Sequence, residues 1–127
     1  MNTGIKPWMA AGIVAIAVGV VYVVTTGYGS SRTMVGDTLD PNGFEGLARE
    51  AYTVAREHPK VLAQLHCYCG CANFAGHKNL LDCFRTTHAS VCPVCMHEAL
   101  DADGMLKQHK TIPQMRDTLQ VMYGQKS

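Results

Sequence analysis

The stretch that decides the fold is His66-Cys67-Tyr68-Cys69-Gly70-Cys71, which carries three of the six cysteines at every second position. The other three cysteines are Cys83 and the pair Cys92 and Cys95. The glycine inside the stretch predicts a turn, because glycine reaches backbone conformations that fold a chain tightly. We therefore expect the six sulfur atoms to organise the residues around them.

Disulfides are one interpretation of these cysteines, because small exported domains often use cross-links in place of a large core. Cysteines two residues apart form strained disulfides. Each cysteine of the turn would therefore need a remote partner, and only three remain. Cys92-Pro93-Val94-Cys95 also has the form of a thiol oxidoreductase motif. The strand that precedes such a motif in a thioredoxin-like unit is not predicted here, so no catalytic residue is proposed.

A metal site accounts for the spacing better than disulfides do. The candidate ligands are the thiols and the two histidines that flank the turn: Cys67, Cys69, Cys71, Cys83, Cys92, Cys95, His66 and His77. His88 stays unassigned. Thiolate and imidazole together favour Cu(I) or zinc. One structural zinc ion takes four ligands, so the surplus of thiols favours two or more Cu(I) ions that share them, with zinc as the alternative.

Residues 1–28 are predicted to form a membrane anchor. From Trp8 to Val24 the sequence carries no charge, and with residues up to Tyr28 it reaches the length of a membrane-spanning helix. Trp8 and Tyr28 fit the interfacial positions of aromatic residues, and Lys6 predicts a cytoplasmic N-terminus with an extracytoplasmic C-terminal domain. A cleaved signal peptide is the alternative, but its apolar region is normally shorter.

The predicted anchor carries a stripe of small residues on one face. Ala11, Ala15 and Gly19 recur at every fourth position, a spacing that allows close packing with another helix in lipid. The alternative function is therefore an accessory subunit of a larger membrane protein complex, with its domain held by disulfides or zinc. The net charge of +1 gives no basic patch for nucleic acid.

The remainder is predicted to be a linker over residues 29–42 and a mainly α, cysteine-rich domain over 43–127. Gly, Ser, Thr, Asp and Pro dominate the linker. Apolar spacing and helix-ending residues predict five helices. The first three are Gly43–Glu57, Val61–Leu65 and a helix from near Gly76 to Thr87. The fourth is capped by Ser90 and ended by Asp101–Gly104, and the fifth begins at Thr111 or Ile112 with Pro113 in its first turn.

Five blocks in order resemble the bacterial PCYCGC-motif proteins. They lie at residues 55–62, 67–71, 77–84, 92–95 and 112–116, and the resemblance covers residues 44–124. It implies an exported protein, since members are mostly exported and often lipoproteins, but it implies no mechanism. Here His66 replaces the proline of the motif. No cysteine ends the apolar segment, so the predicted helix takes the place of the lipid anchor.

Overall fold

The computed structural model describes residues 34–35 and 37–124. The predicted anchor of residues 1–28, with Ala11, Ala15 and Gly19, lies outside the described residues, as does the beginning of the predicted linker. Within the part of the chain that the structure describes, no helix combines the length and the apolar character needed to cross a membrane.

The described chain is mainly helical, as predicted. Its α-helices are α1 (Gly46–Glu57), α2 (Pro59–Leu62), α3 (Cys71–Phe74), α4 (Pro93–Lys107) and α5 (Ile112–Tyr123). Three 3₁₀ helices cover Pro41–Gly43, Leu80–Phe84 and Thr87–Val91. Strands β1 (Met34–Val35) and β2 (Thr38–Leu39) form a short antiparallel pair in which Met34 lies opposite Leu39.

Helices α1 and α4 form the centre of the core. The buried face of α1 contains Ala51, Tyr52, Val54 and Ala55, which recur at helical spacing. This helix ends before Pro59, whose ring starts the short helix α2. The apolar periodicity of α1 was therefore readable from the sequence, although the helix begins three residues later than Gly43.

Tyr52 connects α1 to the segment that carries the cysteines. Its ring stacks on Phe44 with centroids 3.9 Å apart and meets the edge of Phe84 at 5.0 Å. Its hydroxyl donates a hydrogen bond of 2.6 Å to the carbonyl oxygen of Thr86. Since the side chain is fully buried, this single tyrosine joins the helical core to the 3₁₀ segment.

The predicted end of α4 at Asp101–Gly104 is wrong, because the helix continues to Lys107. Ala102 is fully buried on the helix face that points to the core. The acidic residues lie on other faces, where Asp103 accepts a hydrogen bond from Lys107 at 2.6 Å. The residues that resemble a turn in the sequence are thus helical, and packing and an i,i+4 ion pair compensate for the low helix propensity of Gly104.

The predicted helix from Gly76 to Thr87 is also wrong in type. Only the 3₁₀ helix Leu80–Phe84 forms there. The backbone N–H of Lys78 donates to the Asp82 carboxylate at 2.8 Å, and the Asn79 side chain accepts from the Asp82 N–H. Such local side-chain bonds compete with the α-helical ladder.

The start of α4 differs from the prediction as well. Ser90 belongs to the 3₁₀ helix Thr87–Val91, and its hydroxyl donates to the Thr87 carbonyl oxygen. The N-cap of α4 is Cys92, followed by Pro93 at the first helical position. The last helix does begin at Ile112, where the Thr111 N–H donates to the Gln114 side chain at 2.8 Å.

The described part of the predicted linker is structured. Met34–Val35 and Thr38–Leu39 form the strand pair, and Pro41–Gly43 forms a 3₁₀ helix. Thr38 is fully buried and Leu39 is 8% exposed in the core. These residues therefore pack with the domain, and the predicted boundaries of the linker stay a prediction.

Candidate metal centre

The turn of residues 66–70 presents its cysteines to one side. Gly70 has a φ of 82°, a left-handed conformation that favours glycine, and it starts the short helix α3. Cys67 is buried, Cys69 is half-buried, and their sulfur atoms lie 3.3 Å apart. The alternation of the sequence thus directs both sulfurs towards the interior of the cysteine segment.

A second pair of sulfurs comes from two short helices. Cys71 is the first residue of α3, and Cys83 lies in the 3₁₀ helix Leu80–Phe84. Both residues are fully buried, with their sulfur atoms 3.5 Å apart. The hydrogen bond from the Leu80 N–H to the Leu65 carbonyl oxygen, at 2.9 Å, fastens this second element beside the turn.

The first turn of α4 supplies the last two cysteines. Cys92 is the N-cap and Cys95 lies on the buried face. The sulfur of Cys95 is 3.5 Å from that of Cys67. The helix start and the turn therefore meet at this pair.

The donor atoms form three overlapping groups of four, within each of which all atoms lie inside 4.8 Å of one another. The groups are Cys67, Cys69, Cys83, Cys95; then Cys69, His88, Cys92, Cys95; then Cys69, Cys71, Cys83, His88. All six cysteines take part, and Cys69 belongs to every group. The structure thus brings together all the predicted thiol ligands in a cluster that can hold a metal ion.

The sulfur separations suit metal ligands. All six cysteines lie among the described residues and all six are free thiols. The closest sulfur pairs are 3.3 to 3.5 Å apart, far longer than a disulfide bond of about 2.05 Å. Thiolates around a tetrahedral ion with bonds of about 2.3 Å would lie about 3.8 Å from one another. The donor set therefore fits a thiophilic metal with little movement.

Cys69 is the thiol that ionises most readily. Burial opposes its ionisation, but hydrogen bonds with His88, Cys71 and Cys67 outweigh burial and lower the pKa of the Cys69 thiol to about 6. The sulfur lies 3.5 Å from Nε2 of His88. The residue shared by all three groups is thus a thiolate at neutral pH, the form that binds metal.

The four buried thiols, those of Cys67, Cys71, Cys83 and Cys95, have raised pKa values and resist ionisation. Contact with Cys83 lowers the pKa of Cys67, but contact with Cys95, burial and the Glu98 carboxylate together raise it well above its ordinary value. Contact with Cys67 raises the pKa of Cys83, and burial adds to the effect. A cation in the cluster would replace these protons, so metal binding would release protons.

The histidines are placed differently from the prediction. His88, which was unassigned, joins two of the three groups. His77 lies at the edge, with Nδ1 3.3 Å from the Cys83 sulfur and its ring 5.3 Å from that of His88. His66 is outside the three groups, so its role as a ligand stays a prediction, as does that of His77.

His66 instead lies on the other side of the turn. Its ring meets that of Tyr68 edge-on, with centroids 4.8 Å apart. Both residues line a polar groove of about 450 Å³ together with Lys78 and Arg116. The turn therefore has a sulfur side and a groove side.

Glu98 is a site residue that the sequence analysis missed. Its side chain is fully buried, and Oε1 accepts a hydrogen bond of 2.9 Å from the Tyr68 N–H. Burial raises the pKa of Glu98 to about 7, and Oε2 has no hydrogen-bond partner among the residues that the structure describes. Its position one helical turn after Cys95 was the available signal, since residues three apart share a helix face. The carboxyl group fixes the turn to α4.

Fold and site together define a small, mainly helical, cysteine-rich domain with a candidate metal centre. Residues 30–126 match a family model, and the chain belongs to that family, which is described as proteins of unknown function with a PCYCGC motif. The motif reads His66 to Cys71 in this chain. Comparisons with curated proteins and with solved structures found no match.

Proposed function

We propose that the chain is a membrane-tethered, extracytoplasmic protein that binds Cu(I) through its cysteine cluster and delivers, stores or sequesters it. The observation that carries the proposal is the sharing of Cys69 among three groups of donors. Seven soft donors, six thiols and one imidazole, exceed the four that a single tetrahedral zinc ion requires. Bridging thiolates allow two or more Cu(I) ions to use the surplus.

The chemistry of the donors also favours a soft ion. Thiolate and imidazole ligands bind Cu(I) and zinc in preference to magnesium or calcium, which require oxygen. The Cys69 thiolate gives the first ion a charged ligand, and the neighbouring thiols exchange their protons for metal as binding proceeds. Bound metal would also protect the thiols from oxidation outside the cytoplasm.

The proposed location rests on the N-terminal sequence. The segment from Trp8 to Tyr28 carries no charge, and Lys6 precedes it. A helix over this segment would hold the cysteine cluster at the outer face of the cell membrane. Fusion of a topology reporter to the C-terminus tests the orientation, and activity of a reporter that works only in the cytoplasm would contradict it.

The metal is tested on the full chain, purified anaerobically in detergent. We expect more than one Cu(I) per chain, with all six thiols protected from alkylation. Cys69→Ser should reduce copper binding most, because Cys69 belongs to all three groups, whereas the matched variant Cys71→Ser removes a ligand from only one group. Copper is measured by elemental analysis and thiols by mass spectrometry after alkylation.

Two outcomes would contradict the copper proposal. One zinc ion per chain, held against competition by Cu(I), would indicate a structural zinc site in an accessory protein. Three disulfides without metal, in protein kept free of oxygen, would exclude a metal centre altogether. Equal copper contents for Cys69→Ser and Cys71→Ser would refute the shared role of Cys69.

A further inference from the structure

Among the described residues, the candidate metal centre is accessible at the edge formed by Cys69, His88 and Cys92. Cys67, Cys83 and Cys95 are 4%, 0% and 0% exposed, whereas Cys69, His88 and Cys92 are half-buried. Three donors of the group Cys69, His88, Cys92 and Cys95 therefore lie on the accessible side. A ligand that brings or removes metal has to reach this group first.

Exposed apolar side chains flank that edge. Phe74 is 71% exposed, and its ring centroid lies 5.8 Å from that of His88. Val91 is 80% exposed and directly precedes Cys92. Large apolar residues exposed together beside a site are typical of interaction surfaces.

The sequence around this edge carries no charge. Residues 61–77 and 86–97 contain no Asp, Glu, Lys or Arg, although the chain has 10 acidic and 11 basic residues. We call the part of these segments that lies at the accessible edge, Phe74, His88, Val91 and Cys92, the neutral rim. The charged residues that border the two segments in sequence are Lys60, Lys78, Arg85 and Glu98; Arg85 pairs with Asp82 at 2.8 Å, and Glu98 is buried. The rim itself therefore has no carboxylate, ammonium or guanidinium group with which a charged partner could form an ion pair.

We propose that the neutral rim is the docking surface of a metal-carrying protein domain that presents thiolate or thioether ligands on an uncharged, apolar surface. The proposal rests on the proposed Cu(I) function. The partner's chemistry follows from the rim: its ligands must be soft to exchange with Cys69, Cys92 and His88, and its surface must be apolar to bury Phe74 and Val91. A partner with a charged surface would lose hydration at the rim without gaining an ion pair.

Transfer across this surface is a ligand exchange and not a redox reaction. The partner's thiolate forms a bond to Cu(I) as the bond from His88 breaks, and copper keeps its oxidation state. The imidazole leaves as a neutral group, so that this exchange requires no proton. Cys69 and Cys95 belong to two groups of donors. They share one group with His88 and Cys92 at the accessible edge, and the other with the buried Cys67 and Cys83. A copper ion can therefore pass between the edge and the interior while it keeps two ligands.

The test uses the full chain loaded with Cu(I) and two synthetic acceptor peptides. Both peptides carry the same Cys-Gly-Gly-Cys ligand pair, flanked by valine and phenylalanine in one and by aspartate and lysine in the other. Stopped-flow measurements give the rate of copper transfer to each. We expect the apolar acceptor to react about tenfold faster, the factor expected from burying about one apolar side chain.

Serine variants locate the effect on the chain. Val91→Ser and Phe74→Ser should each slow transfer to the apolar acceptor and leave transfer to the charged acceptor unchanged. The matched control is Val121→Ser, because Val121 is also a valine and is 74% exposed, but lies on α5 outside the neutral rim. The copper content of each loaded variant is measured first, which separates slow transfer from lost binding.

The two proposals fail in different ways. A chain that takes up no Cu(I) refutes the proposed function, and the docking surface with it. A chain that binds Cu(I) but transfers it equally fast to both acceptors overturns only the docking surface. The same conclusion follows if Val121→Ser slows transfer as much as Val91→Ser does, or if neither rim variant slows it.

Discussion

The molecule stabilises its two parts by different means. The helical scaffold, formed by α1, α4 and α5, has regular α-helices and a core of apolar side chains. The cysteine segment, residues 66–92, has only a four-residue α-helix and two five-residue 3₁₀ helices. Its buried residues combine Cys67, Cys71 and Cys83 with apolar side chains such as Leu80 and Phe84. A chain of this size thus joins a conventional core to a segment whose donors fit a metal ion.

This difference in stabilisation indicates that the cysteine segment is the part whose stability depends on a bound ligand. Burial of apolar surface stabilises the scaffold under any metal concentration. A ligand that binds only the folded state adds stability that grows with the logarithm of its concentration once this exceeds the dissociation constant. In this chain that ligand would act on the cysteine segment. Three predictions test this division, in order of decreasing effect.

Tyr52 joins the two parts, so its removal should have the largest effect. We expect Tyr52→Ala to lower the free energy of unfolding by about 3–5 kcal/mol, since it leaves a cavity between Phe44 and Phe84. Tyr52→Phe should cost only about 1 kcal/mol, the hydrogen bond to Thr86. Urea denaturation of the reduced, metal-free chain measures both, and a similar loss for the two variants would show that the ring packing is unimportant.

Glu98 tests the contact between the turn and α4 through its pH dependence. Its pKa rises from 4.5 to about 7 on folding, because burial disfavours the carboxylate. The folded state therefore binds a proton that the unfolded state releases between these values, and stability falls as pH rises through them. The loss amounts to about 3 kcal/mol when the pH exceeds 7.

Glu98→Gln should remove this pH dependence. The amide oxygen can still accept from the Tyr68 N–H, and any cost of the buried amide group is the same at all pH values. We therefore expect the free energy of unfolding of the native chain to fall by about 3 kcal/mol between pH 4.5 and 7, relative to that of Glu98→Gln. Denaturation curves across this range measure it, and parallel stability profiles would contradict the buried carboxylate.

The same substitution, glycine to alanine, compares the backbone of the cysteine segment with that of the helical scaffold. Gly70 has a φ of 82° in the cysteine segment, and Gly104 lies inside α4; an added Cβ meets no atom within 4 Å at either position. Gly70→Ala should destabilise the chain by about 1 kcal/mol through backbone strain. Gly104→Ala should stabilise it by about 0.5–1 kcal/mol through helix propensity. Thermal denaturation that moves both variants in the same direction would contradict this difference.

The scaffold was largely predictable from the sequence. The apolar spacing of α1, the break at Pro59 and the start of α5 at Ile112 are local signals, and the structure reproduces them. The continuation of α4 through Asp101–Gly104 was not predictable in this way. It depends on burial of Ala102 against the rest of the core, a tertiary effect that overrides weak local propensity.

The cysteine segment was predictable in composition but not in geometry. The spacing of the cysteines indicated the thiol donors, which the structure brings together. The choice of a 3₁₀ helix for Leu80–Phe84 depends on side-chain bonds from Asn79 and Asp82, which periodicity does not reveal. His88 and Glu98 join the site through contacts across 19 and 30 residues of sequence. The contacts themselves leave no local pattern, although the position of Glu98 one helical turn after Cys95 indicates that the two share a helix face.

The two sides of the turn have a consequence for how the protein can change during evolution. Cys67 and Cys69 point to the donor cluster, while His66 and Tyr68 line the groove. A substitution at position 66 therefore alters the lining of the groove without replacing any of the clustered donors. The lining of the groove and the sulfur donors on the opposite side can therefore change under separate selective pressures.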